Sequence, residues 1–233
     1  LRRLAGERAG RGGGRRPGRG RMSFVGHLEE ALHVNRERMP LYSRLTGGES
    51  ERISRRLIRY ERLALPLARW VDRRARPYNA RGIGVVADDF VPMAGTPEFR
   101  ETFAEPPLPL SAFRPADARR IRRSLAAALK AGGFAGIAAA LRAELAALEA
   151  APCYHCMLRH LLESMLRVAS LAPAHAARAE AAGMRSTAGL SRLVLRLHLF
   201  TLADAAKLDA LAAPIQARGI PILCQDVPPI APE

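Results

Sequence analysis

The sequence predicts an all-α fold: a pseudo-twofold helical bundle made from a duplicated helix pair, an inserted helical hairpin and one or two very short β-strands. Hydrophobic residues make up 48% of the chain but aromatic residues only 5%, so Ala and Leu must supply most of the core. Ala, Leu and Arg favour helix over sheet. Prolines and a glycine pair divide the chain into helix-length segments, and the chain matches itself when residue 54 is laid on residue 191.

Six helical segments follow from the hydrophobic periodicity and from the positions of these prolines and glycines. They span about residues 23–38, 50–76, 118–131, 134–150, 153–171 and 186–213. Most are expected to end before a proline, because proline lacks the N–H that a helix interior requires. The Gly132-Gly133 pair ends the third segment, since glycine commonly terminates helices. Two short apolar runs, residues 83–87 and 220–224, are expected to form the strands and to pair under the pseudo-twofold.

The internal match relates residues 54–93 to residues 191–230 without a gap. Its most specific part is the pattern P-x-x-A-R-G-I, which begins at Pro77 and again at Pro214. Matches of Arg, Ala and Leu come easily in this composition, whereas this pattern does not. The sequence therefore predicts a duplicated unit, and such units commonly pack about a twofold axis.

The duplication also divides the chain into regions. Residues 1–21 contain eight arginines and one glutamate without hydrophobic periodicity, so we expect a disordered Gly/Arg-rich tail. The remainder, residues 22–233, is expected to form one helical domain. Its first repeat covers residues 22–93, a Pro-rich linker and the inserted helices cover residues 94–152, and the second repeat covers residues 153–233.

Charge and cysteine usage restrict the partners. The net charge is +15, but nearly half of it lies in residues 1–21, and the basic helices lack interleaved aromatic residues. Nucleic acid is therefore not an expected partner. No uncharged apolar run reaches the roughly 18 residues of a membrane span, and three cysteines do not form a secreted disulfide framework. We expect a soluble cytoplasmic protein with a small-molecule substrate, and we leave a homo-oligomer open.

The candidate site consists of two H-x-x-E motifs and two further residues on the helices that follow them. A shift of 133 residues lays one motif on the other, and residues three apart lie on one helical face. A pseudo-twofold would gather these side chains at the middle of the bundle. The candidate metal ligands are His27, Glu30, Glu61, His160, Glu163 and His198.

Three imidazoles and three carboxylates suit Fe, Mn or Zn, because these ions accept both nitrogen and oxygen ligands. The arrangement resembles that of ferritin-like dimetal carboxylate proteins, which place paired Glu and His residues on two helices and single Glu residues on two others. The order here is H-x-x-E rather than E-x-x-H, and a fourth carboxylate is lacking. The resemblance implies one or two metal ions and an oxidoreductase that acts on a small molecule.

A second candidate is the thiol motif Cys153-x-x-Cys156-x-x-x-His160. Its position at the start of a helix favours thiolate, because the helix dipole lowers a thiol pKa there. The spacing is similar to that of the alkylhydroperoxidase-like (carboxymuconolactone decarboxylase) superfamily, which is also all-helical. On that resemblance Cys156 attacks peroxide, Cys153 resolves the disulfide and His160 relays a proton, with Glu144 as the counterpart of an upstream glutamate.

Two further alternatives stay open. A zinc site from Cys153, Cys156, His160 and Cys224 is one, although a lone CxxC is a weak signal. The other is a non-catalytic helical scaffold or regulatory protein whose basic faces contact an acidic partner. The repeat aligns His160 with His27, which has no neighbouring cysteine, and this favours the metal interpretation over the thiol one.

Overall fold

Four α-helices account for most of the computed structural model. The model describes residues 24–26, 28–29, 40, 43–44, 46–86, 110–149, 156–218 and 222–223. The helices are α1 (Ser50–Asn79), α2 (Ala118–Glu149), α3 (Cys156–Ala181) and α4 (Ala188–Gln216), and a 3₁₀ turn, Leu110–Ala112, precedes α2. Residues 24–26 and 28–29 are also helical. The all-α prediction is confirmed at this level.

Several predicted features lie outside the described residues. They are the Gly/Arg-rich tail at residues 1–21, most of the Pro-rich linker and the end of the second repeat after residue 223.

Prolines do not end the helices where the sequence predicts they should. Pro77 lies inside α1, Pro173 inside α3 and Pro214 inside α4, and each helix continues beyond its proline. A fourth proline, Pro66, lies in the middle of α1. All four prolines are exposed, and the carbonyl groups that lose a helical partner to Pro66, Pro77 and Pro214 belong to exposed residues that water can reach. Packing of the opposite faces against the core offsets the roughly 3 kcal/mol that an interior proline costs.

Helix α2 is a hairpin of two helical arms joined at Gly133, whose φ of 59° and ψ of −141° are not helical. The Arg120 guanidinium donates two hydrogen bonds of 2.7 Å to the Glu144 carboxylate, 24 residues away. A straight helix would separate residues at that spacing by about 36 Å, so the arms must fold back on each other. Gly136 permits the close approach, because a Cβ there would lie 2.7 Å from the Ala128 carbonyl oxygen.

Among the described residues, one helix is long and apolar enough to cross a membrane, and it is the helix that forms this hairpin. By length and composition alone, Ala118–Leu148 qualifies as such a helix, which is weak evidence of a span. Each arm on its own side of Gly133 has only about 15 residues and a length of about 22 Å. That is shorter than the roughly 30 Å hydrocarbon core of a bilayer.

The first copy of the repeated P-x-x-A-R-G-I block contains the end of α1. At the end of α1, the N–H of Ile83 bonds to the Tyr78 carbonyl and that of Gly82 to the Asn79 carbonyl, with φ of 77° at Gly82. This is a Schellman motif, in which glycine adopts the left-handed conformation. Val85 and Val86 then form a turn, and the described residues 83–86 contain no strand. Most of the second run, residues 220–224, lies outside the described residues.

The main core lies where α3 and α4 pack against each other, against the α2 hairpin and against the later turns of α1. Its side chains recur at intervals of three and four residues, as expected for helices with one buried face. Fully burying each large side chain contributes about 1.5–3 kcal/mol. The largest buried side chains of this core are Ile121, Leu125, Ile137, Leu141, Leu158, Leu162, Met165, Leu195 and Leu202.

Candidate functional site

Three of the six predicted metal ligands have side chains among the described residues. His160 and Glu163 lie in the first two turns of α3, and His198 lies on α4, which packs against α3. Glu61 belongs to α1, but its side chain is outside the described set. His27 and Glu30 are outside it as well. The structure therefore gives the side-chain positions of three of the six predicted ligands.

His198 is buried on the inner face of α4, with 6% of its surface exposed. Its Nδ1 lies 2.8 Å from the Val194 carbonyl oxygen. A carbonyl oxygen only accepts hydrogen bonds, so Nδ1 carries the proton and the neutral ring has its lone pair on Nε2. Desolvation lowers the pKa of His198, and its hydrogen bond to Val194 partly opposes that shift. The ring is therefore neutral at pH 7.

His160 is the neighbour of His198 across the α3–α4 interface. It keeps some exposed surface, yet desolvation, followed by the nearby positive charge of a protonated His198, lowers its pKa to about 4. Charge interactions of this kind act between close groups. The two imidazoles thus form a neutral pair inside the bundle, the protonation state in which histidine binds metal ions.

Phe24 contacts His198 from the N-terminal helical segment. Its ring stacks on the His198 ring, with centroids 6.3 Å apart and planes inclined by 10°. The segment is held in place by Asp72, whose carboxylate accepts the backbone N–H groups of Phe24 at 3.1 Å and Val25 at 2.9 Å. The chain just before His27 therefore passes beside His198.

Glu163 has a different partner. Its Oε1 accepts a hydrogen bond of 2.9 Å from Nε of Arg159, one turn earlier on α3. Within the part of the chain that the structure describes, no three His, Cys, Asp or Glu side chains come together as a ligand cluster. Of the three predicted ligands that the structure describes, His160 and His198 are neighbours. Glu163 does not form a three-residue group with them.

Asp209 accepts backbone N–H groups at the start of α3, as Asp72 does at Phe24. Its carboxylate oxygens accept the backbone N–H groups of Met157 and Leu158, each at 2.9 Å. Asp209 is completely buried, and burial raises its pKa to about 7, while the two backbone donors lower it. Asp209 thus provides acceptors for N–H groups in the first turn of α3, which have no partner within that helix.

The predicted thiol motif lies at this end of α3. Helix α3 begins at Cys156, and the predicted start at Cys153 lies outside the described residues. Glu144 pairs with Arg120 in the α2 hairpin. The side chains of Cys153, Cys156 and Cys224 lie outside the described residues, so the predicted thiol and zinc sites remain predictions.

Sequence reasoning missed the residues that position the histidine pair. The Val194 carbonyl could have been found, because a histidine in a helix can reach the carbonyl four residues earlier. Phe24 could not, since a single aromatic residue carries no signal of the ring against which it packs.

Comparison with known proteins adds no family assignment: no protein-family model, curated protein or solved structure matches this chain. Functional inference therefore depends on the site itself.

Proposed function

We propose that the bundle holds a transition-metal ion at the His160–His198 pair and uses it in oxidative chemistry on a small molecule. The remaining ligands come from the predicted set, with His27, Glu30 and Glu61 as the first candidates. The observation that carries this proposal is the buried His198 ring, whose Nδ1 is bound to the Val194 carbonyl and which lies on the helix that packs against the helix of His160.

The hydrogen bond to Val194 adds support from ligand chemistry. Histidine ligands commonly donate their second ring N–H to a carbonyl or carboxylate, which fixes the ring and directs the other nitrogen to the metal. His198 makes such a bond through Nδ1. Nitrogen donors of this kind suit Fe, Mn and Zn once oxygen ligands join them. Such an ion supplies Lewis acidity and, for Fe or Mn, redox chemistry.

We also propose that the fold arose by duplication of a helix pair, which makes the two halves of the candidate site equivalent. Two structural facts support this. Asp72 and Asp209, aligned by the 137-residue shift, each accept two backbone N–H groups, and those donors are aligned by the 133-residue shift. In addition, Val86 and Leu223 are aligned, and they are the non-glycine residues with positive φ in the described part of the chain.

Metal analysis of the untagged full chain tests the function. We expect about one or two equivalents of Fe, Mn or Zn per chain after loading and desalting, and the Co²⁺ form should show visible d–d absorption from nitrogen ligation. His160→Leu and His198→Leu should each lower metal affinity by about tenfold or more, because each removes one ligand.

His175→Leu is a matched control, because His175 is a buried histidine on the same helix about 22 Å along from His160. This variant should retain the metal. A folded wild-type protein without metal after loading would reject the proposal, as would equal metal content in wild type, His160→Leu and His198→Leu.

A further inference from the structure

A cleft separate from the histidine pair lies between the last turns of α1 and the turn that joins α3 to α4. It has a volume of about 670 Å³, which is within the range of small-molecule sites. A Schellman motif with Gly183 at φ 67° ends α3 and shapes one wall. The first turn of α4 forms the adjoining wall.

The charge of this cleft is positive. Arg74, Arg81 and Arg185 line it, and its described lining contains no Asp or Glu. None of the three guanidinium groups pairs with a carboxylate among the residues that the structure describes. The N-terminus of α4 adds partial positive charge, and its N-cap, Thr187, makes no side-chain capping hydrogen bond.

In the second repeat, the arginine equivalent to Arg81 is neutralised by a carboxylate. Arg218, aligned with Arg81 by the 137-residue shift, donates a hydrogen bond of 2.6 Å to the Glu49 carboxylate. The residue aligned with Glu49 is Ser186, which lines the cleft. Arg81 instead donates to the Ala182 carbonyl oxygen at 3.2 Å. The cleft therefore has the arginine but lacks the carboxylate.

Aromatic side chains also form part of the cleft surface. Trp70 and Tyr78 line the cleft, and the guanidinium of Arg74 lies 4.4 Å from the centroid of the Trp70 ring. This cation–π contact holds the arginine and the indole together at the cleft. Partly exposed rings beside arginines suit a ligand that combines negative charge with a flat ring.

We propose that this cleft binds a phosphorylated small molecule that carries a flat ring, as a nucleotide does. The phosphates contact Arg81, Arg185 and the start of α4. The ring packs beside Trp70 and Tyr78. Arginine suits this role because its planar fork matches phosphate oxygens.

Trp70 makes the proposal directly measurable, because it is the one tryptophan of the chain. The full-length protein is titrated with ADP, pyrophosphate and adenosine, and binding is followed by tryptophan fluorescence and by calorimetry. ADP should bind one site and change the Trp70 emission. Pyrophosphate should compete with ADP at about tenfold lower affinity, and adenosine should not bind measurably.

Single variants localise the site. Arg81→Gln and Arg185→Gln should each weaken ADP binding by about tenfold. Ser186→Glu should abolish it, because the new carboxylate recreates the Glu49–Arg218 pair beside Arg81. Arg142→Gln, which removes an exposed arginine from α2 outside the cleft, is the matched control and should bind ADP like the wild type.

Three results would overturn the proposal. The first is an absence of ADP binding. The second is binding that survives Ser186→Glu or falls equally in Arg142→Gln, which would indicate general attraction to a chain of net charge +15. The third is equal affinity for ADP and pyrophosphate, which would remove the role of the rings.

Discussion

The Asp209 carboxylate accepts the backbone N–H of Leu158 at 2.9 Å, and this contact joins the C-terminal third of α4 to the first turn of α3. The same carboxylate accepts the N–H of Met157. A helix usually receives such acceptors from a residue just before it. Here the acceptor comes from a residue about fifty positions later, so the start of α3 depends on the packing of α4.

Replacing Asp209 by Ala should therefore destabilise the protein by about 2–4 kcal/mol, because two buried N–H groups lose their acceptors. The measurement is the free energy of unfolding in urea, followed by circular dichroism. Asp204→Ala is the control on the same helix. Asp204 makes a half-exposed ion pair with Arg56 and should cost no more than about 1 kcal/mol. Equal losses in the two variants would contradict a special role for Asp209.

The pH dependence of Asp209 has a defined sign. Its pKa is about 7 in the folded protein and about 4 in the unfolded chain, so the folded state binds more protons between these values. Relative to Asp209→Asn, the wild type should lose stability as pH rises from about 4 to about 7, and should then level off. A difference that grows with pH in this window would show that the two backbone donors outweigh burial.

The contribution of His160 to stability should change with pH in the opposite direction. Its pKa is about 4 in the folded protein and about 6.5 in the unfolded chain, so protons favour the unfolded state in that range. As pH falls from about 6.5 to about 4, the metal-free wild type should lose up to about 3 kcal/mol relative to His160→Leu. Urea unfolding at several pH values in EDTA measures this. A constant difference between the two proteins would mean that His160 titrates normally.

The α2 hairpin offers a double-mutant test. Arg120 and Glu144 form a two-bond ion pair in which Glu144 is nearly buried and Arg120 is half-exposed. We expect a coupling energy of about 1 kcal/mol from Arg120→Ala, Glu144→Ala and the double variant, since exposure of the guanidinium weakens the pair. Additive effects of the two single variants would argue that the arms are held by apolar packing alone.

The sequence predicted the parts of this fold that local chemistry determines. Gly132-Gly133 indicated the break in α2 because glycine adopts backbone conformations that end a helix. The prolines were misleading: Pro77, Pro173 and Pro214 all lie within helices. Whether a proline ends a helix depends on how well the opposite face of that helix packs against the core. That packing involves residues far away in the sequence.

The candidate site also depends partly on local spacing and partly on contacts between residues that are distant in the sequence. The choice of His160 and His198 as candidate ligands came from spacing along the helices, which fixes which residues share a face, and it stays a prediction. It could not predict that Glu163 bonds to Arg159, or that Asp209 binds the N–H groups beside Cys156. Each side chain has several partners within reach, and only the packed structure selects one.

Helical content and the break at Gly133 were determined by the sequence alone, because they depend on backbone propensities over a few residues. Only the tertiary structure decided that His160 and His198 are neutral neighbours and that Arg218 pairs with Glu49 while Arg81 has no carboxylate partner among the described residues. Protonation state and ion pairing depend on desolvation and on distances between separate helices, which residue order does not specify.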